Sequence, residues 1–135
     1  MLITDTNILQ RCSLGRAMIR VRALVARGVD LATTDRNIDE LARNLASLEG
    51  IDETLAWQEC QRVVAPFRIV LAEEYEHRRA DADARLREGG KSDWPALAAA
   101  LALDAELWSD DVDFFGVGVP VWTTPNVRFV EPATN

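Results

Sequence analysis

Short apolar runs alternate with longer amphipathic segments along the whole chain. Most of the apolar runs carry β-branched side chains and are bounded by polar residues, which is the pattern of short buried strands. We predict strands at residues 2–4, 29–33, 67–71, 107–109 and 119–123, and a short edge strand at residues 127–130.

The longer segments have the apolar spacing of helices that bury one face. Predicted helices cover residues 8–27, 52–64, 73–88 and 93–105, and one more runs from a cap at Thr34 or Asp35 to Gly50. Gly28 ends the predicted helix at residues 8–27, and Gly89-Gly90 ends the charged helix at residues 73–88. The predicted inward positions are Ile38, Leu41, Leu45 and Leu48 in one helix and Leu55, Cys60 and Val63 in the next.

Strands that alternate with helices form β–α–β units. Parallel neighbours need long crossover connections, so this pattern predicts a largely parallel sheet with helices on both faces. A length of 135 residues suits one domain, which we place at residues 1–135. Sheets of this kind bind ligands beyond the carboxyl ends of their strands, and we expect the chemistry at that edge.

Acidic residues collect at this predicted edge. Asp5 follows the first strand directly, and residues 109–113 (SDDVD) follow the strand at 107–109. Asp93 opens the helix that leads into that strand, and Glu40 lies in the first turns of the helix after the second strand. Acids that are distant in the sequence are therefore predicted to meet in one cleft.

Carboxylates that share a cleft repel one another, and a divalent cation removes this penalty. Oxygen ligands without a usable histidine or thiol group favour Mg²⁺ or Mn²⁺ over zinc. Such a cation polarises a phosphoryl oxygen and lowers the pKa of a bound water, which is the chemistry of phosphodiester cleavage. Taken singly, the acids also suit plainer roles: Asp5 and Asp93 can start helices, and Glu40 can be a solvated helix residue.

Four stretches of the sequence together resemble the PIN-domain nucleases: MLITDTNIL, IDELARNL, DWPALAAALAL after GGKS, and WSDDVDFFGVGVPVWTT. Their order and spacing match that family over nearly the whole chain. The resemblance implies a three-layer α/β/α sandwich with a mostly parallel central sheet. It also implies an endoribonuclease that cleaves single-stranded RNA with Mg²⁺ or Mn²⁺. Compact bacterial members of the family are often VapC-type toxins of type II toxin–antitoxin pairs, which implies a cognate antitoxin and a homodimer.

The resemblance also implies roles for single residues. Asp5, Asp93 and Asp111 correspond to metal ligands, and Glu40 corresponds to the fourth catalytic acid. Asn7 is expected to hold the carboxylate of Asp5 or a water of the metal.

The family's T-x-D-x-D-F turn reads S-D-D-V-D-F in this chain. Ser109 takes the hydroxyl position and Asp113 the position of an outer acid. The extra Asp110 leaves open which of Asp110, Asp111 and Asp113 is the inner ligand. Lys91, in the turn before Asp93, is a candidate phosphate contact, although GGKS lacks the glycine spacing of a Walker A motif.

Charge and composition narrow these possibilities. The net charge of −7 and a pI near 4.7 argue against broad electrostatic binding to nucleic acid. Basic residues near the acids can still hold flanking phosphates. Arg78, Arg79, Arg85 and Arg87 lie among acids in one predicted helix, where ion pairs on a solvated face are favoured over RNA contact.

Histidine and cysteine chemistry contribute little here. His77 is the single histidine, which excludes a histidine-rich metal site and argues against a Ser-His-Asp triad. Cys12 and Cys60 lack metal-ligand spacing, so we expect packed, reduced thiols. The chain has neither a signal-peptide pattern nor a bilayer-length apolar run, so a cytoplasmic protein without membrane contact is expected.

Three other functions are alternatives to a nuclease. A HAD-type phosphatase needs a second Asp two residues after the first, where this chain has Asn7. A response-regulator receiver needs an acidic pair at the first strand and a later lysine, and the sequence lacks both. A PIN fold used only to bind RNA or a protein remains the main alternative, because a sequence does not show that metal binds.

Overall fold

A computed structural model describes residues 1–48 and 50–132, and the predicted inward side chain of Leu48 lies outside the described part. The strands are β1 (Leu2–Thr4), β2 (Leu31–Thr34), β3 (Arg68–Val70), β4 (Glu106–Trp108) and β5 (Val121–Trp122). The helices are α1 (Thr6–Ser13), α2 (Met18–Ala26), α3 (Asp35–Leu48), α4 (Glu53–Val64), α5 (Ala72–Tyr75), α6 (Arg79–Arg85) and α7 (Trp94–Leu103). Short 3-10 turns occur at Glu76–Arg78, Glu88–Asp93, Val112–Phe114 and Val127–Phe129.

The five strands form one parallel sheet in the order β3-β2-β1-β4-β5. The chain builds outward from β1 to β3 and then returns to place β4 on the other side of β1. Side chains alternate between the two faces: Leu2 packs into the core under α1 to α4, and Ile3 packs into the core under α5 to α7. The predicted three-layer α/β/α sandwich is confirmed.

The predicted helix at 8–27 is in fact two helices. Asp5 accepts a hydrogen bond from the Ile8 amide at 3.0 Å, so α1 begins at Thr6. Gly15 then adopts φ +92°, a left-handed conformation that ends α1 and separates it from α2. The predicted stop at Gly28 is present, but the next residue still belongs to this turn because the Val29 amide donates to the Leu24 carbonyl at 3.0 Å. This is why β2 starts later than the sequence pattern suggested.

The charged segment predicted as one helix at 73–88 is also divided. It consists of α5, a 3-10 turn and α6. Tyr75, at the end of α5, is fully buried, and its hydroxyl donates to the Asp35 carboxylate across the sheet edge. The interruption coincides with this buried aromatic anchor, which a pattern of charges does not reveal.

Two further expectations are wrong. The predicted edge strand at residues 127–130 is absent: Val127–Phe129 form a 3-10 turn, and the Arg27 guanidinium donates to the carbonyls of Arg128 and Val130, both at 2.6 Å. Leu55 was predicted to point inward but is 56% exposed. Asp52 caps α4, and Ala56 takes the inward position beside Cys60 and Val63.

The predicted cap of α3 and the predicted buried thiols agree with the structure. Thr34 accepts the Asn37 amide at 3.0 Å and so supplies the predicted cap of α3. Cys12 and Cys60 are buried free thiols, and burial raises their pKa values to about 12 and about 11, respectively. Among the described helices, none combines the length and the apolar character that crossing a bilayer requires.

Candidate metal centre

Asp5 and Ser109 lie side by side at the carboxyl ends of β1 and β4. This is the point where the strand order reverses, and open parallel sheets bind their ligands there. The Asp5 side chain is buried, and its second carboxylate oxygen accepts the Ser109 hydroxyl. Ser109 Oγ in turn accepts the Asp111 amide at 3.0 Å. One hydroxyl therefore ties the two strand ends together, in the position where the sequence predicted it.

Three more acids close the site. Asp93, Asp111 and Asp113 each offer one carboxylate oxygen, and these oxygens lie within 4.8 Å of one another. Asp93 stands directly before α7, and Asp111 caps the 3-10 turn at Val112–Phe114 by accepting the Asp113 amide at 2.9 Å. We call Asp5, Asp93, Asp111 and Asp113 the acid cluster.

Asp110 bonds to groups outside the acid cluster. Its carboxylate accepts the Thr124 amide at 2.6 Å, accepts the Thr124 hydroxyl, and forms an ion pair with Arg11. The sequence left Asp110, Asp111 and Asp113 as alternative ligands. The geometry groups Asp111 and Asp113 with Asp93 and commits Asp110 to the neighbouring loop.

Burial and mutual repulsion shift the pKa values of two acids in the cluster upward. Burial, and after it the charges of Asp111, Asp5, Asp113 and Glu40, together raise the pKa of Asp93 to about 7. Burial also raises the pKa of Asp5 to about 6, although the hydrogen bonds from Ser109 and the Ile8 amide partly oppose this. Hard oxygen donors that repel one another suit Mg²⁺ or Mn²⁺, so the residues present fit the predicted cation.

Glu40 is held at the rim by a chain of buried polar groups. The Thr6 hydroxyl donates to Glu40 Oε2 at 3.1 Å, and the Asn37 amide donates to Thr6 Oγ1 at 2.9 Å. The Thr34 hydroxyl donates to Asn37 Oδ1 at 2.6 Å. Asn37 was not among the predicted site residues, and the available signal was its position as a polar residue three positions after a helix cap.

Two predicted contacts take other forms. Ser109 and the Ile8 amide hold the Asp5 carboxylate, whereas Asn7 is exposed and lines a cavity of about 350 Å³ beside Asp111. Lys91 Nζ donates to the carbonyls of Asp83 and Leu86, at 2.8 and 3.4 Å. Contact of Asn7 with a water of the metal, and of Lys91 with a phosphate, stay predictions.

Asp113 is fixed by two features that the sequence analysis did not identify. Arg87 forms an ion pair with its carboxylate, and Gly90 lies directly against it. A Cβ atom added at Gly90 would lie 2.8 Å from both Cβ and Cγ of Asp113. The glycine pair that looked like a simple helix breaker therefore lets the chain approach an acid of the site.

Gly90→Ala is accordingly expected to destabilise the protein by about 1–3 kcal/mol, because the added methyl group overpacks the site. It should also weaken Mn²⁺ binding, measured by calorimetry, because Asp113 must move. Gly89→Ala is the matched control, since an added Cβ there meets no atom within 4 Å. Equal unfolding temperatures for the two variants would contradict this account.

A family model described as "PIN domain" matches residues 3–131. The chain belongs to the PIN-domain family. The predicted resemblance is therefore confirmed over nearly the whole described chain, and the acid cluster lies inside the matched range.

Solved structures share the fold of this PIN domain. A toxin–antitoxin complex from Klebsiella pneumoniae has 22% identity, covers 92% of this chain and 98% of its own, and has a TM-score of 0.67. VapBC2 from Rickettsia felis, bound to a DNA fragment from its promoter, has 14% identity, coverages of 90% and 97%, and a TM-score of 0.67. FitAcB from Neisseria gonorrhoeae has 21% identity, coverages of 92% and 98%, and a TM-score of 0.64. No functionally curated protein matches the sequence.

Proposed function

We propose that this PIN domain is a Mg²⁺- or Mn²⁺-dependent endoribonuclease that cleaves single-stranded RNA. The observation that carries the proposal is the convergence of Asp5, Asp93, Asp111 and Asp113 at one sheet edge, with Glu40 at its rim. A purely structural role does not account for acids from distant segments that raise one another's pKa values. The retained acids also weigh against a silent binding module.

Asp93, Asp111 and Asp113 would hold the cation, and Asp5 would join them through the carboxylate that Ser109 orients. A bound divalent cation supplies charge that polarises the scissile phosphate and lowers the pKa of a nearby water. Glu40 is positioned by Thr6 through Oε2, which leaves Oε1 as the atom to accept a proton from the attacking water. No side-chain nucleophile is needed.

We further propose that the protein is the toxin of a type II toxin–antitoxin pair. The support is its family and the similarity of its fold to chains from toxin–antitoxin complexes. A cognate antitoxin, a homodimer, a single domain over residues 1–135 and a cytoplasmic location belong to the same proposal.

The test is cleavage of a panel of fluorescent single-stranded RNAs by the full chain with Mg²⁺, Mn²⁺ or EDTA. Asp5→Asn protein, purified identically, is the control. We expect cleavage that needs metal and is lost in the variant, because the variant removes a buried carboxylate of the acid cluster while its amide oxygen can still cap α1. Equal cleavage by both proteins would identify a contaminating ribonuclease. Tight metal binding without cleavage of any RNA would favour the binding-only alternative.

A further inference from the structure

Positive charge is concentrated in one segment of this acidic protein. Residues 6–29 contain five arginines and no Asp or Glu, although the chain as a whole carries a net charge of −7. This segment forms α1 and α2, and α1 begins directly after Asp5. A basic segment inside an acidic chain is a local electrostatic feature that the net charge conceals.

Part of this segment lines a continuous surface that leads away from the acid cluster. A cavity of about 350 Å³ runs from Asp111 to Arg11 and Leu14. A second cavity, of about 790 Å³, is also lined by Arg11 and Leu14, and it extends to Arg16 and Arg20. Because Arg11 and Leu14 line both cavities, the cavities adjoin each other, and their linings together extend from the acids to the arginines.

The guanidinium groups of the arginines along these cavities have N–H donors that are not used in ion pairs. Arg11 forms an ion pair with Asp110, and its side chain is half-exposed; a guanidinium carries five N–H donors, so others stay available. Within residues 1–48 and 50–132, neither Arg16 nor Arg20 has an ion-pair partner. Side chains of this kind suit phosphate groups, which arginine contacts in a bidentate manner.

The other basic residues near the site are committed elsewhere. Arg78 and Arg85 pair with Asp81, and Arg87 pairs with Asp113. Lys91 donates to backbone carbonyls. The segment that contains Arg78 and Arg85 was the alternative RNA contact predicted from the sequence. The positive charges of these two arginines are largely neutralised by an acid of the same segment.

We propose that Arg11, Arg16 and Arg20 form the phosphate-binding track on which single-stranded RNA leaves the acid cluster. The proposal rests on the proposed ribonuclease function and adds where the substrate lies. Leu14, 65% exposed between the two cavities, offers an apolar contact for an unstacked base. Single-stranded RNA is flexible, so its successive phosphates can follow the spacing of these three arginines.

The test measures RNA binding apart from cleavage. The full chain in EDTA is titrated onto a fluorescein-labelled single-stranded RNA, and anisotropy is followed over a series of KCl concentrations. Arg16→Gln and Arg20→Gln are each expected to weaken binding about threefold at moderate salt and to lower the log–log salt slope by about 0.7. The double variant should show about twice that change in slope.

Arg22→Gln is the matched control. Arg22 is exposed on the same helix, but it lies two residues after Arg20 and so points to roughly the opposite side of the helix. The Arg22→Gln variant loses the same charge, and it should leave the RNA affinity and the salt slope unchanged. Equal losses in Arg22→Gln and Arg20→Gln would show a general charge effect and overturn the track, as would tighter binding of double-stranded DNA than of RNA.

Cleavage assays with Mn²⁺ on the same proteins separate the two proposals. If the wild type cleaves RNA while the Arg16 and Arg20 variants bind and cleave as it does, the track is wrong and the ribonuclease proposal stands. If the variants lose RNA affinity although the wild type does not cleave, the track stands as an RNA-binding surface and the ribonuclease proposal fails.

Discussion

Asp93→Asn is expected to abolish RNA cleavage and, without metal, to make the protein more stable. The loss of activity should be about 10²–10³-fold or more, the scale for removing one group that stabilises developing charge. The effect on stability has the opposite sign because burial, and after it the neighbouring like charges, disfavour an ionised carboxylate at Asp93. Its side chain is half-buried beside Asp111, Asp5 and Asp113, and its pKa rises to about 7.

The pH dependence of this gain follows from linkage. In the unfolded chain Asp93 ionises near its ordinary pKa of about 3.9, so between about pH 4 and pH 7 the folded state binds more protons. Stability therefore falls as pH rises through this window, and the penalty is complete above pH 7. The full shift corresponds to about 4 kcal/mol, but solvent screening of this half-exposed group reduces the expected gain to about 1–2 kcal/mol.

Thermal unfolding in EDTA checks this expectation. At pH 8, Asp93→Asn should unfold roughly 3–8 °C above the wild type, and the difference should vanish near pH 4. Asp30→Asn, an exposed aspartate just before β2 at the other end of the sheet, should show no such gain. With Mg²⁺ or Mn²⁺ in excess the order should change, because the wild type gains binding energy that the variant lacks. A variant less stable than the wild type at pH 8 in EDTA would contradict the repulsion among these acids.

The position of the acid cluster could be predicted from the sequence because its acids follow or precede the ends of predicted strands and helices. Asp5 follows β1 and Asp111 follows β4, and parallel strands bring their carboxyl ends to one edge whatever the details of packing. The choice between Asp110 and Asp111 was not predictable from the sequence, since it depends on which distant groups bind each of the two adjacent carboxylates. The partners that settle it, Arg11 and Thr124, lie far away in the sequence.

The misplaced elements have similar long-range causes. Residues 127–130 have a strand-like pattern, but Arg27 takes up the carbonyls of Arg128 and Val130. Leu55 has helical spacing with Val63, yet the Asp52 cap turns Ala56 inward instead. Local periodicity predicts that a helix exists, whereas its start and its buried face depend on contacts that are not local.

Asn37→Ala is expected to lower the free energy of unfolding by about 1–3 kcal/mol, although Asn37 is not one of the acids of the site. The amide is 5% exposed and bonds to Thr6 and Thr34. Its removal takes a donor from Thr6 Oγ1 and an acceptor from the Thr34 hydroxyl, while Thr6 keeps Glu40 and Thr34 keeps the backbone amide of residue 37. Each lost hydrogen bond costs about 0.5–1.5 kcal/mol. Urea unfolding at neutral pH measures the change. Asn44→Ala, a half-buried asparagine two turns later in α3, should cost less than about 0.5 kcal/mol.

A second readout of Asn37→Ala concerns Glu40. Asn37 fixes the Thr6 hydroxyl that contacts Glu40, so the variant should cleave RNA more slowly even where it is fully folded. Thr6→Val removes the same contact from the other side. If Asn37 acts on Glu40 through Thr6, the double variant should be hardly slower than Thr6→Val alone, because the second change removes an interaction that is already lost. Additive losses would instead mean that Asn37 only stabilises the fold, and the position of Glu40 would then depend on α3 itself.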